Sequence, residues 1–490
     1  DATVTSCYSK DKTGIELRQK WANVKADVCD NWWAGLEDTY LYNYTLNNDW
    51  HQYIKTGSTA GGEGESPIED YAGSDGKLYK RQDCDLTEAG SIDANCLYTV
   101  SGVKKALVNG AFVAVEKNTA DEAYHKVGAA TTYYICFDGC VWHPATKVSG
   151  KEKAYTVDGK VYIWYDGAWL GVENDATVSL YYSLSSTNVK IYYDYISGAW
   201  DLAVPVAEVV TSSGTEQVYA LAKAFEKAAA GGTNVTVRLL KDISISSAIT
   251  YATDNNCALD LNGHTLSSAV TSMITINNAS CTFIVKDQSG AGTGKIKLSV
   301  SENARRYGVN VTKGHLILNS GTIYAENTMA YNSTSAKATQ ICAILVKAGQ
   351  KFTMNGGTVT AEATYNPYGI YSDGANSIIT INGGTINCTS TSKSSPYAII
   401  SYGTININGG TINATAETTT AVGIYVNADT SKQGTLNMAG GTINAVSEGG
   451  NTAHGIIVNR GLSYQSTTDE PRLIKQEYPA KAYISGGTVN

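Results

Sequence analysis

The rhythm of apolar and polar positions changes near residue 205. Beyond it, short runs of β-branched residues recur between corners of nearly constant composition. In register the corners read LNGHTL (261–266), LNSGTI (318–323), MNGGTV (354–359), INGGTI (381–386), INGGTI (407–412), MAGGTI (438–443) and ISGGTV (484–489). A second marker precedes most of them: YGVNV at Tyr307, CAILV at Cys342, YGIYS at Tyr368, YAIIS at Tyr397, VGIYV at Val422 and HGIIV at His454. The corner threonines Thr322, Thr358, Thr385, Thr411, Thr442 and Thr488 follow one another at steps of 36, 27, 26, 31 and 46 residues. A recurring period of this size marks stacked coils, and the longer steps are insertions into outer loops. Each coil then needs about three short strands and as many corners. The β-branched residues pack inward, and Gly permits positive φ at the corner. Asn tolerates the left-handed region and pairs its amide with the Asn of the next coil. Asn319, Asn355, Asn382 and Asn408 are predicted to form such a ladder. No repeat carries a helical period, which excludes leucine-rich and helical solenoids. An antiparallel sandwich would not require identical corners. Residues 233–490 are therefore read as a parallel β-helix of about seven to nine coils.

Before residue 205 the pattern is aromatic and irregular. All eight tryptophans lie at or before Trp200, and Pro205 marks the boundary. Residues 15–28 and 101–116 read as helices, the second as a helix or a helix–strand pair. From Tyr133 the chain becomes short strands separated by Gly-containing turns, so 131–205 is predicted to be an antiparallel β-subdomain. Residues 216–232 read as a helix, with Val218, Leu221, Ala222, Phe225 and Ala228 on one face and Gly231-Gly232 as its stop. Laid across the first coil, it would cover strand edges. The fold class is thus mainly β: a C-terminal parallel β-helix, preceded by an α+β, cysteine- and aromatic-rich module whose helix-containing part spans 1–130.

The repeat resembles the right-handed, pectate-lyase-like parallel β-helix of many bacterial surface proteins. VTVRLLKDISISSAIT and CALDLNGHTLSS within 235–268, with VKDQSGAGTGKI (285–296), are similar to the first coils of large Gram-positive, gut-type cell-surface proteins. The likeness covers residues 216–490 and implies right-handed coiling and a place at the cell surface. It implies little about activity, since this fold hosts enzymes and adhesins alike.

Composition narrows the functional classes. Apolar residues make up 43%, charged residues 17%, and Gly numbers 48, which fits a turn-dense folded β protein and not a disordered chain. The net charge of −8, without a basic run, argues against a nucleic-acid partner or a polybasic membrane contact. No apolar run reaches the roughly 18 residues of a transmembrane helix. No cofactor motif is present, and the ten cysteines lack zinc-site spacing. Six of them fall in the first 140 residues, which favours disulfides. Cys257 and Cys281 open CALDLNG and CTFIVKD, which look like one strand in successive coils, about 4.8 Å apart and within bridging range. Cys136–Cys140, Cys84–Cys96 and Cys7–Cys29 are the further candidate pairs, and Cys342 and Cys388 are expected to be free. The chain opens on Asp1 without a leader, as a processed or trimmed product would. It stops inside a repeat at Asn490, as would a chain that continues or docks onto another subunit.

Polysaccharide chemistry on such a fold needs acids at matching register in adjacent coils. Asp260 and Asp287 lie near corners, and Asp373, Asp429 and Glu448 fall at unrelated positions. Arg305-Arg306 shows no acidic partner at a useful spacing. His264 and His143 read as structural. The tyrosines and tryptophans of 133–200 suit a β-core as well as a sugar platform. No catalytic, cofactor or metal residue is assigned. The expected function is an extracellular, non-enzymatic surface protein, a rigid stalk or adhesin-type scaffold that self-associates or binds a host or glycan ligand. The alternatives are a filament or pilus-like subunit and a polysaccharide lyase or glycoside hydrolase.

Overall fold

The computed structural model describes residues 97–490 apart from 101–102, 110, 119–120, 138–140, 233, 331–339, 393, 430 and 467–472. Before residue 97 it describes the backbone of short strand segments between Ala2 and Ile92. The chain divides into two compact units, Asp1–Ala203 and Val204–Asn490.

The first unit has two short parallel strand pairs, Ala2–Thr3 with Ala26–Asp27 and Tyr8–Ser9 with Trp32–Trp33, and is antiparallel from Tyr40 on. Strands from Ser91–Ile92 to Ala199–Leu202 form a 13-stranded meander in which each strand pairs with the next in sequence. Several of its turns place two successive residues at positive φ, such as Asp158-Gly159 (48° and 81°) and Asp166-Gly167 (48° and 81°). That geometry matches the twist of paired strands and makes a two-residue hairpin turn. The helix expected within 101–116 is corrected. Val103–Val108 and Ala111–Lys117 are the two strands of a hairpin, with Lys105 opposite Ala114. Asn109, at φ 47°, stands where the chain turns back and a helix would have continued. The helix expected over 15–28 falls outside the described residues, save for strand Ala26–Asp27 near its end.

The second unit is a stack of parallel strands in three files. File 1 starts at Val235–Leu239 and Cys257–Asp260 and ends at Thr435–Met438 and Lys481–Ile484. File 2 is a nine-stranded sheet from Ile243–Ile245 to Thr488–Val489. File 3 runs from Ile249–Tyr251 to Ala453–Val458. The chain visits the files in the order 1, 2, 3 and then begins the next rung, so each strand pairs with its equivalent one rung away. Two strands, Ser272–Lys286 and Arg305–Leu318, pass from file 3 into file 1 without a break.

Inward positions build one continuous core. In file 2, Leu266, Ile296, Ile323, Val359, Ile386, Ile412 and Ile443 lie one above the next and are fully buried. The corner threonines share the same register from Thr322 to Thr488. Lys295 occupies that position one rung before Thr322, so TGKI (293–296) is a corner that lacks the recurring threonine. The seven recurring corners each turn through a glycine in the left-handed region, for example Gly384 at φ 85°. A Cβ there would lie 2.6 Å from the Gly357 carbonyl of the preceding rung.

The cap differs from the expected helix over 216–232. Residues Gly214–Val218 are a strand, hairpinned to Ala207–Thr211, which itself pairs antiparallel with Val235–Leu239. Helix α1 covers only Leu221–Ala230 and buries Leu221, Ala224, Phe225 and Ala228. The hairpin supplies the main-chain partners for the first file-1 strand, and a helix could not have done so. At the other end, an antiparallel hairpin of Arg460–Ser466 and Leu473–Pro479 stands between file 3 and file 1. The next rung then resumes in register, with Asn437 paired to Tyr483.

The predicted Cys257–Cys281 bridge is also corrected. Cys257 pairs with Phe283, so Cys281 lies two residues out of register. That offset puts the α-carbons about 8 Å apart, beyond the roughly 6.8 Å a bridge spans. Cys257, Cys281, Cys342 and Cys388 are buried, unbridged thiols. Burial pushes Cys257 up to about 12, Cys281 up to about 11 and Cys342 up to about 12. It raises Cys388 further still. Cys7, Cys29, Cys84, Cys96 and Cys140 lie outside the described residues, and with them the other three pairings.

Two outcomes follow from this packing. Ile412→Ala opens a cavity in the file-2 core and should cost about 2–5 kcal/mol of stability in guanidinium unfolding. The thiols of Cys257, Cys281, Cys342 and Cys388 are protonated and enclosed at neutral pH, so a thiol reagent should leave them unmodified in the native protein. Peptide mass mapping before and after denaturation would check this, and modification in the native state would contradict the packing described.

Candidate functional site

Along file 2, inward residues alternate with outward ones, so every second side chain faces away from the core. Four residues beyond the corner threonine the outward residue is Glu326 in one rung and Glu362 in the next, and the two are register partners. The expectation that no acids share a register is therefore overturned. The Tyr324 hydroxyl lies 2.8 Å from Glu326 Oε2 and 2.7 Å from Glu362 Oε2. Its single hydrogen can serve only one of them at a time. On the far side, Ser299 Oγ donates to Glu326 Oε1 at 2.6 Å and Lys297 Nζ stands 3.1 Å from the same oxygen. The Lys295 and Lys297 ammoniums lie 5.2 and 5.6 Å from the centre of the Tyr324 ring, within cation–π range.

The electrostatics follow from these contacts. Burial opposes ionisation of Glu326, but hydrogen bonds from Ser299, Tyr324 and Lys297 outweigh it and hold its carboxyl below the usual range. Burial, and then the two glutamates, push the Tyr324 hydroxyl well above the usual phenol range. Two carboxylates one rung apart, with a phenol and two ammoniums beside them, form the densest outward cluster of functional side chains in file 2. The sequence held the signal, because counting four residues on from Thr322 and Thr358 reaches both glutamates.

The same face continues differently in later rungs. The outward residue two positions beyond the threonine becomes Asn387, Asn413, Asn444 and Asn490. The amide Nδ2 of each of the last three donates to the Asn Oδ1 of the preceding rung, at 2.8, 2.9 and 2.7 Å. This ladder was not anticipated, although TIN recurs at 385–387, 411–413 and 442–444. The predicted corner residues Asn319, Asn355, Asn382 and Asn408 form a second ladder, with Nδ2 to Oδ1 distances of 2.9, 2.8 and 2.8 Å.

Most other candidates serve structure. Asp260 is fully buried. It accepts hydrogen bonds from the amides of Asn262 and Gln288 and from Arg238 Nε. Asp287 accepts from the amides of Gly263, Ser289 and Gly294. Burial would raise its pKa, but those amides hold it below the usual carboxylate range. Asp373 pairs with Lys347, and Asp429 lies 3.7 Å from the ammonium of Lys432. Arg306 does have an acidic partner, Glu302, 2.6 Å away and one helical-type step earlier in sequence. His264 lies 3.4 Å from Asp242, and the His143 ring stacks on Phe137. Many of the aromatic residues of the first unit, including Tyr155, Trp169, Tyr181 and Trp200, are packed inside it. Lys151 occupies the space over the rings of Tyr181, Tyr195 and Trp200, 5.3 to 5.4 Å from each centroid. Among the described residues no cluster of three or more His, Cys, Asp or Glu side chains could hold a metal ion. None of the described helices is long and apolar enough to cross a membrane.

No family model matches this chain, and comparisons with curated proteins and with solved structures find no match.

The shared hydroxyl makes a pH-dependent prediction. Glu326 has a lowered folded-state pKa, so its contribution to stability is present above about pH 4.3 and is lost as the pH falls through the lowered value. Tyr324→Phe removes a donor from that carboxylate. It should cost about 1–2 kcal/mol at pH 7, with the gap to the parent protein narrowing below about pH 4. Thermal unfolding of both proteins across that range would test it, and a gap independent of pH would count against the arrangement.

Proposed function

We propose that this chain is an extracellular, non-enzymatic surface protein whose second unit is a right-handed parallel β-helix acting as a rigid scaffold. The observation that carries the reading is the unbroken register of file 2 across its nine strands. A stack of this kind transmits position along its axis, because each rung is fixed to its neighbours. Its outward corners are stitched by amide ladders, and Asp260 and Asp287 are committed to main-chain donors, an arrangement suited to stiffness. Right-handedness and surface location rest on the resemblance of residues 216–490 to bacterial cell-surface proteins.

A second reading, hydrolysis of a glycan, is favoured by one observation: Glu326 and Glu362 are register partners. Carboxylates about 5 Å apart are the arrangement of retaining glycosidases. Against it, Tyr324 and Lys297 already occupy the pair, and the cluster lies on the outer face of a sheet.

The two readings separate in one assay. The full chain, incubated with pectin-like and neutral polysaccharides, should release neither reducing ends nor unsaturated products. Release that disappears in both Glu326→Gln and Glu362→Gln would replace the scaffold reading with the enzymatic one.

A further inference from the structure

We infer that the outward face of file 2, beyond Glu362, is a binding surface for an extended neutral polysaccharide lying along the axis of the stack. This deepens the scaffold reading and rests on it. The strands Thr385–Ser390 and Thr411–Ala416 alternate strictly between buried and half-buried positions, and the pairing from Thr358 to Ser447 runs without a register shift. The face is therefore regular in both directions: about 4.8 Å between rungs and about 6.6 Å between successive outward residues.

Its chemistry is uniform as well as periodic. The middle file is the Asn387–Asn413–Asn444–Asn490 ladder. An amide has two N–H donors and two acceptor positions. An amide inside the ladder spends one of each on its neighbours, and the other donor and acceptor remain, held in one orientation and repeated at every rung. Threonines flank it, Thr385 and Thr411 on one side and Thr389 and Thr415 on the other. Each adds a hydroxyl that both donates and accepts.

Charge and area select the ligand. From Thr385 to Val446 the outward residues of this face carry no charge, so nothing there would compensate a carboxylate, sulfate or phosphate brought out of water. That excludes acidic glycans and nucleic acids. A second copy of the chain is excluded by size. Beyond Glu362 the face has four rungs, three of them six-residue strands, and measures at most about 19 by 20 Å. Two such faces together would bury about 800 Å² at most, short of the roughly 1,200 Å² of a stable interface. A thin polymer with hydroxyls along its length meets both conditions. It gains hydrogen bonds at every rung and needs no wide contact.

The test uses the full chain with microcrystalline cellulose, insoluble xylan, insoluble mannan and starch granules as probes, followed by sedimentation. Retention on at least one polymer is expected. Thr411→Lys and, separately, Thr415→Lys put a charge on the face without touching the core, and each should weaken retention about tenfold. Thr404→Lys, on the outward side of file 1, should leave it unchanged. Unaltered thermal unfolding in either face variant is enough to read the result. Retention on none of the polymers, or retention equal in the parent and both face variants, overturns the assignment. So does slowed ice-crystal growth without polymer retention, which would give the face to ordered water. Release of reducing ends during retention would sink the non-enzymatic reading while leaving the face intact. Lack of retention without any release overturns the face alone.

Discussion

Every rung of the second unit depends on the column of side chains that runs from Leu266 through Ile296, Ile323, Val359, Ile386 and Ile412 to Ile443. Main-chain hydrogen bonds fix the distance between rungs, but the column fixes which residue sits above which. A slip by one residue would turn the whole column to solvent and bring polar residues inward. Corner glycines, threonine files and amide ladders inherit their alignment from it. A second close approach reinforces the first, on file 3. Gly369 faces the Ala398 carbonyl of the next rung, where a Cβ would come within 2.5 Å, and Gly423 faces Gly455 in the same way. The rungs thus press together in file 3 through bare backbone and in file 2 through tightly packed apolar side chains.

The corners were the legible part of the fold, because they combine a backbone requirement with a packing requirement in a few adjacent residues. NGGT and its variants needed no distant partner to be recognised. Features that depend on exact pairing between rungs were harder to read. CALDLNG and CTFIVKD look equivalent, yet Cys257 lies beside Phe283, because the long strand Ser272–Lys286 carries its cysteine two residues early. Glu326 and Glu362 are within reach of a simple count from the corner, but they lie inside strands and away from the residues that announce the repeat. The segment 216–218 lies within the expected helix and nevertheless extends, since Ala207–Thr211 offers it main-chain partners. Local propensity gave way there to a tertiary hydrogen-bonding demand.

The two ends of the stack solve the same corner problem with different chemistry. Early rungs use carboxylates: Asp260 and Asp287 each gather main-chain N–H groups from their own turn and from a neighbouring one. Later rungs use amides that donate and accept in a chain. A carboxylate only accepts, so it can gather donors but cannot pass a hydrogen bond onward. An amide can do both, which makes it the residue for a repeat of indefinite length. Charge also discourages direct stacking of like with like. The one outward place where two carboxylates do stack in file 2 is bridged by Tyr324.

The hairpin between Val458 and Lys481 shows what the stack ignores. It inserts 22 residues, not far short of the 26-residue step from Thr385 to Thr411, yet Asn437 and Tyr483 pair as though the two rungs were joined directly. Closing a longer loop costs only a fraction of a kcal/mol for each doubling of its length, about 0.6. Register is set across the strands and not along the chain between them. The corner between file 3 and file 1 is therefore a point at which evolution, or an engineer, can graft a new segment without renegotiating the core. Novelty in such a molecule accumulates at its edges, while the spine beneath stays the same.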